Sequence, residues 1–490
     1  MNESSRPKLM PSAIAIGIGI LIWFVIPAPA SVKPEAWHLL ALFVATIAAI
    51  IGKAMPIGAL SIIAISLVAI TGVTNPGKPG AAIADALSGF ANPLIWLIAV
   101  AIMISVALTK TGLGTRIGFY FISLFGKSSL GVGYSLVVSE LVIAPVTPSN
   151  TARGGAIIHP IMRSIADAFG SSPEQGTSKK IGRYLALVNY NTNPITSAMF
   201  ITATAPNPLI VDLVAKATNL EIKITWAQWA LAALLPGLFM LLVMPLVIYF
   251  LYPPEIRKTP NAGDVAKAEL TKMGPMKYTE KMTFAVLGLM LLMWAGIPAM
   301  LFGPALSLDA TTTAWIGLSL LLLTGVLEWE DILKAKSAWD TLIWFAALVM
   351  MATFLGKLGL ITWFSQAIKD AIGGLGLGWI GACAILVAVY FYAHYFFAST
   401  TAHITAMFAA FFTAGVALGA PPMLFALILA FSSSLMMSLT HYATGTSPII
   451  FGSGYTTLNE WWITGLVMSV VNLLLLIVVG SIWWGILGYF

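Results

Sequence analysis

Apolar runs of about membrane length recur along the whole chain, at residues 11–26, 36–51, 57–73, 93–108, 227–251, 282–297, 312–327, 342–355 and 461–487. Hydrocarbon offers no partner to a backbone N–H or C=O, so runs of this length fold as transmembrane helices that satisfy their own backbones. The composition agrees: hydrophobic residues make up 59% of the chain and charged residues 9%, against roughly 25% charge in a soluble domain. The expected fold class is an all-α polytopic membrane protein.

At the amino terminus Arg6 and Lys8 precede the first run, and Pro27-Ala28-Pro29-Ala30 follows it. That pattern has the form of a cleaved signal peptide. The many later spans instead point to a retained first helix within residues 1–35. The net charge of +6 does not form a groove-sized patch for nucleic acid. The basic residues fall mainly in loops on one side of a consistent threading, as the positive-inside rule expects. The longest polar stretch, 252–281, carries Arg257, Lys258, Lys267, Lys272, Lys277 and Lys281. Residues 253–281 therefore read as a cytoplasmic linker, with the amino terminus also cytoplasmic and the chain in the plasma (inner) membrane. Cys383 is the single cysteine, the five histidines have no zinc-site spacing, and no P-loop is present. No cofactor or metal is expected.

The halves on either side of the linker, 36–252 and 282–490, share three landmarks in the same order. Leu94-Ile95-Trp96 returns as Leu342-Ile343-Trp344. Pro148-Ser149-Asn150-Thr151-Ala152-Arg153 is echoed by Ala398-Ser399-Thr400-Thr401-Ala402-His403. Ala203-Thr204-Ala205-Pro206-Asn207-Pro208 matches Ala443-Thr444-Gly445-Thr446-Ser447-Pro448. The threading runs the first Leu-Ile-Trp helix inward and its copy outward, so the repeat is inverted, an architecture that many secondary transporters use for two-sided access. Around the first cluster, residues 132–145 are apolar but break at Pro145 and Pro148 after about half a membrane thickness. A helix restarting near Thr151 would make a re-entrant hairpin with its tip at 149–151. The second tip, at 399–401, should enter from the opposite face.

Ser, Asn and Thr commonly cap helix amino termini, and plain capping would explain either cluster alone. A helix amino terminus also attracts anions through its free N–H groups and dipole. Two such tips near the membrane midplane would each hold one carboxylate of a dicarboxylate. Ser149, Asn150, Thr151, Ser399, Thr400 and Thr401 are the candidate binding residues. Thr204, Ala205, Pro206, Asn207, Thr444, Gly445, Thr446 and Ser447 form two breaks within helices, since proline removes a ladder bond. Arg153 and His403 sit in first helical turns, where positive charge opposes the dipole. They are candidate charge or coupling residues for a bound dianion, or for the place of a coupling cation. The alternative for Arg153 is a structural brace to Glu140. His394 reads as a packing or interfacial residue.

Through the two Ser-x-Thr tips and the two Ala-Thr-x-x-x-Pro breaks, the chain resembles the divalent anion transporter family over essentially its whole length. It is most similar to the exchanger branch with plastid 2-oxoglutarate/malate translocators and bacterial citrate/succinate and tartrate/succinate antiporters. The resemblance implies about eleven transmembrane helices plus two hairpins, a homodimer, and an elevator-type mechanism. Sodium-coupled relatives place Na⁺ beside each tip and commonly carry Asn in both; here Thr400 replaces the second Asn, and a basic residue follows each tip. The expected function is sodium-independent exchange of C4/C5 dicarboxylates such as 2-oxoglutarate, malate, succinate or fumarate. The alternatives are a sodium-coupled symporter and a citrate or tartrate:succinate antiporter. An embedded enzyme would need a nucleophile–base pair or a metal cluster, and the sequence offers neither.

Overall fold

Helices satisfy the backbone nearly everywhere in the computed structural model, which describes residues 7–218, 221–374 and 376–490. Arg6 lies outside them. Among the described residues there is no strand, only an isolated bridge between Ser128 and Lys258. Eight helices among the described residues are long and apolar enough to cross a membrane, from Pro34–Ile51 to Leu458–Ile486, and shorter apolar helices such as Ile57–Thr71 and Ala310–Leu323 accompany them. Many large apolar side chains stay exposed on the outer surface, including Phe250, Leu323 and Ile486. Such a surface suits a lipid environment and would be a liability in water.

Two helical hairpins organise the interior. In the first, the Ser129–Ile143 helix ends in a tight 3₁₀ turn at Ala144–Val146, and the chain restarts at Thr151. The restart is wound as a π-helix over Thr151–Ile158 and continues as the His159–Ala168 helix. In the second, the Trp379–Tyr392 helix and the Ala393–Phe396 turn lead to the Thr400–Ala417 helix. Both restarts are capped alike, with Ser149 Oγ accepting from Ala152 N at 3.1 Å and Ser399 Oγ accepting from Ala402 N at 3.3 Å. Capping thus accounts for one function of the two serines.

Each hairpin is followed by a broken helix. Gly182–Met199 gives way through the extended Phe200 and the Ile201–Ala203 turn to Pro206–Ala217. Pro422–Leu435 gives way through Met436–Ser438 to Thr446–Gly452. Pro206, Pro208 and Pro448 sit at or just inside the restarts, where a missing N–H is tolerated. The broken helices cross over between the halves. Pro206–Ala217 packs on the second hairpin's Thr400–Ala417, and Thr446–Gly452 packs on the first hairpin's Thr151–Ile158. That exchange brings both tips and both breaks to one place.

The polar stretch at 253–281 is more than a tether. It contains the Ala262–Met273 helix, which packs on Leu113–Phe125. Ser129 N donates to Arg257 O at 3.1 Å, and Thr259 Oγ1 donates to Gly126 O at 2.8 Å, fixing the stretch to the base of the first hairpin. Arg116 grips Glu280 with Nε at 2.7 Å and Nη2 at 3.1 Å. Desolvation would raise the Glu280 carboxyl, but its bonds from Arg116 and from the Lys277 N–H outweigh it and hold the group below its ordinary value.

Candidate functional site

A cavity of about 240 Å³ lies where the four irregular segments meet. The first tip contributes Pro148, Ser149, Asn150 and Thr151, and the second Ala398, Ser399, Thr400 and Thr401. Thr204, Ala205 and Pro206 line it from the first break, and Met437, Thr444 and Gly445 from the second. The Lys336–Lys357 helix closes one wall with Ser337, Thr341 and Trp344, and Ile102 comes from the Pro93–Thr111 helix. All six candidate binding residues therefore face one space.

The local chemistry explains how the tips stay in register. Asn150 Nδ2 donates to Thr444 Oγ1 at 2.8 Å and approaches Met437 Sδ at 3.5 Å, tying the first tip to the second break. Gly445 permits the closest approach: a Cβ there would meet Thr151 Oγ1 at 2.5 Å. Gly154 serves similarly behind the tip, where a Cβ would meet Asn193 Nδ2 at 2.8 Å. Asn193 Nδ2 in turn donates to Asn150 O at 3.0 Å and to Glu140 Oε1 at 2.7 Å. A π-helical turn with two glycines is a strained way to start a helix, and such turns gather at functional sites.

Three of the break residues point away from the cavity. Asn207 Nδ2 donates to Ser197 O at 2.7 Å and Phe200 O at 2.9 Å, latching the first break shut. Thr446 Oγ1 donates to Asn193 Oδ1 at 3.3 Å, and Ser447 Oγ lies 3.0 Å from the Tyr190 hydroxyl. Their polarity serves the supports rather than the cavity wall.

The two basic residues also stand behind the tips rather than in the cavity. Arg153 is wholly buried. Its Nε donates to Glu140 Oε1 at 3.1 Å, Nη1 to Thr147 O at 2.7 Å and Ala203 O at 2.8 Å, and Nη2 to Ser197 Oγ at 2.7 Å. The brace to Glu140 is present, and the guanidinium also satisfies the carbonyls of the first tip and first break. His403 Nδ1 lies 3.1 Å from His394 Nδ1, and His394 Nε2 lies 3.1 Å from Ala443 O. A carbonyl can only accept, so His394 Nε2 carries a proton; with both rings neutral, His403 Nδ1 must then donate to His394. Ala203 and Ala443 are matching positions of the two repeats. In each half a basic side chain behind the tip donates to the carbonyl that opens the break.

Sequence reasoning missed several of these partners. His394 supplies the second half's carbonyl contact, which its place in an aromatic run concealed. The helix run Asn189–Ser197 packs wholly buried behind the first tip, and its dense Asn and Thr content was the available signal. Ser337 and Thr341 have no distinguishing neighbours in the sequence, and Trp344 stands out there only as part of the Leu342-Ile343-Trp344 repeat.

Among the described residues, no charged side chain lines the cavity. Among the described residues no group of His, Cys, Asp or Glu is arranged to hold a metal. The available chemistry is a dense set of neutral hydroxyl and amide donors together with the free first N–H groups of the helices at 151 and 400. Such a wall suits a small anion, held by hydrogen bonds and helix ends rather than by ion pairs.

The family model for the sodium:sulfate symporter transmembrane region matches residues 7–490. The chain belongs to the divalent anion transporter family. Its relatives include YflS of Bacillus subtilis (strain 168), named as a candidate malate transporter, at 50% identity over 487 residues, covering 99% of this chain and 98% of that protein. Dicarboxylate transporter 1 of Spinacia oleracea, a chloroplastic protein, is 45% identical over 481 residues, covering 98% and 82%. Inner membrane protein YbhI of Escherichia coli (strain K12) is 38% identical over 489 residues, covering 99% of each chain. Among solved structures, MtrF of Neisseria gonorrhoeae superposes with a TM-score of 0.54 at 14% identity, covering 98% of this chain and 96% of that one. That likeness concerns the fold alone. The divalent anion transporter family membership makes the chain a multi-pass membrane transporter.

Proposed function

We propose that this divalent anion transporter exchanges C4/C5 dicarboxylates, such as 2-oxoglutarate, malate, succinate and fumarate, across the plasma membrane without sodium. The observation that carries the reading is the single cavity into which both tips and both breaks deliver neutral donors and helix amino termini. The names of the plant relative and of YflS point to the same substrate class. In this reading the hairpins are re-entrant, the two halves are inverted repeats, and the cavity-bearing part slides as an elevator against a scaffold that includes the Lys336–Lys357 and Pro93–Thr111 helices. The protein works as a homodimer with a cytoplasmic amino terminus.

Sodium independence rests on what the oxygens behind the tips already bond to. A Na⁺ ion is a hard cation and would need several oxygens around it, as other hard cations do. Here Thr147 O, Ala203 O and Ser197 Oγ accept from Arg153, and Ala443 O accepts from His394. Protein N–H groups take the place of a coupling ion. A sodium-coupled symporter would need those oxygens free.

Counterflow into proteoliposomes with a panel of labelled di- and tricarboxylates tests the substrate class. C4/C5 dicarboxylates should exchange best; preference for citrate or tartrate would move the assignment to the corresponding antiporters, and exclusion of all of them would end it. Within the cavity, Asn150→Ala should raise KM by roughly ten- to a hundredfold, since a hydrogen bond to a charged group contributes about 1.5–3 kcal/mol. Expression and assembly should persist. An Asn150→Ala carrier with wild-type KM and rate would reduce the first tip to capping.

A further inference from the structure

One wall of the cavity is not part of either tip or break. Ser337 and Thr341 lie one turn apart on the Lys336–Lys357 helix, so their side chains share a face. Buried threonines and serines in the helices of this protein commonly return their hydroxyl to the carbonyl four residues back, as Thr46, Ser61, Thr192, Thr283 and Thr405 do. Thr341 departs from that habit. No hydrogen bond of its hydroxyl is present among the described residues, although the residue is 8% exposed and lines the cavity. Ser337 is exposed, at the mouth, in the first turn of its helix, where free N–H groups and the helix dipole favour an anion. The other repeat has nothing equivalent. Matching Leu94-Ile95-Trp96 to Leu342-Ile343-Trp344 puts Gly89 and Pro93 opposite Ser337 and Thr341, and Gly89 is pressed against the Ala346 backbone.

We propose that Ser337 and Thr341 form a one-sided carboxylate rest, contacting one end of the substrate only while the cavity is open toward the amino-terminal end of the Lys336–Lys357 helix. The inference rests on the dicarboxylate elevator reading above. Once the cavity has moved to the opposite face, its wall comes from the Ser88–Ala91 turn with Gly89 and the start of the Pro93–Thr111 helix, and that contact is lost. Bound dicarboxylate therefore favours the orientation described here, because a ligand shifts a two-state equilibrium toward the state in which it makes more contacts.

The test uses a contact between the sliding part and the scaffold. Lys216 Nζ on the Pro206–Ala217 helix lies 3.1 Å from Thr353 Oγ1 on the Lys336–Lys357 helix. Lys216→Cys and Thr353→Cys in a Cys383→Ser background, joined by a short thiol-reactive bridge, hold the present orientation in the full-length protein. Equilibrium binding of labelled succinate to the bridged protein should weaken about tenfold with Ser337→Ala plus Thr341→Val, and remain near normal with Thr341→Ser. Ser337→Ala alone, at an exposed position that does not threaten folding, should account for part of the loss. Saturating succinate should also speed bridging in the parent pair and fail to do so in the double hydroxyl variant, a readout that a merely structural role would not move. Unchanged affinity in the bridged double variant, or an equal loss with Thr341→Ser, overturns the rest. A bridged parent that binds no dicarboxylate overturns the reading of the cavity itself, and the two failures are separable because the first leaves parental binding intact.

Discussion

Proteoliposomes loaded with unlabelled dicarboxylate should take up labelled substrate on the order of a hundredfold faster than empty ones, and equally well with and without Na⁺. The cavity gathers hydroxyls, an amide and free helix N–H groups with no cation of its own. With a dianion bound, those groups have partners; when the cavity is empty, they must cross past the apolar scaffold without them. Each buried polar group left unpaired costs about 1–3 kcal/mol. Water carried along satisfies some of them, but two remaining deficits of that size suffice, since each ~1.4 kcal/mol of barrier slows a step tenfold. The return trip then requires a passenger, which is obligatory exchange. Fast uptake by empty vesicles under an inward sodium gradient alone would sink the antiport assignment and favour a symporter.

This reasoning differs from what the sequence invites. Arg153 and His403 read as charges for a bound dianion or for the place of a coupling cation because each follows a tip in a first helical turn, with a brace to Glu140 as the alternative for Arg153. The compensation is tertiary. Glu140 reaches Arg153 across the hairpin, and His394 meets His403 across the second tip. No helical period predicts either contact. The tips and breaks were legible for the opposite reason: proline and clustered cap-forming residues act on their own backbone, so the irregularity is written where it occurs. The direction of individual side chains was not. Asn207, Thr446 and Ser447 belong to the same motif as Thr204 and Thr444, yet they turn inward to hold the break closed. Ser337 and Thr341 were invisible because hydroxyls in membrane helices ordinarily bond to their own backbone, and only the structure identifies one that does not.

The other large effect should come from the pair behind the first tip. Arg153→Met removes the donors to Thr147 O, Ala203 O and Ser197 Oγ, and leaves Glu140 wholly buried with only Asn193 and Thr196 donating to it. Removing one member of a buried pair costs about 3–5 kcal/mol, because the remaining charge has lost its partner. That is a large part of the roughly 5–15 kcal/mol by which folded proteins are stable, so the melting temperature of the purified carrier should drop sharply and exchange should be lost. Adding Glu140→Gln removes the orphaned charge while keeping an oxygen for Asn193, and should recover much of the melting temperature without restoring exchange. The single variant should also acquire a response that the wild type lacks. With the guanidinium gone, a carboxylate and two backbone carbonyls face the vacated volume, an oxygen-rich setting for a hard cation. Na⁺ should therefore raise the melting temperature of Arg153→Met, leave wild type unmoved, and have little effect on Arg153→Met/Glu140→Gln. Equal Na⁺ responses in all three proteins would show that the guanidinium does not occupy a cation's place, and a wild-type melting temperature in Arg153→Met would show that the buried pair does not hold the first tip.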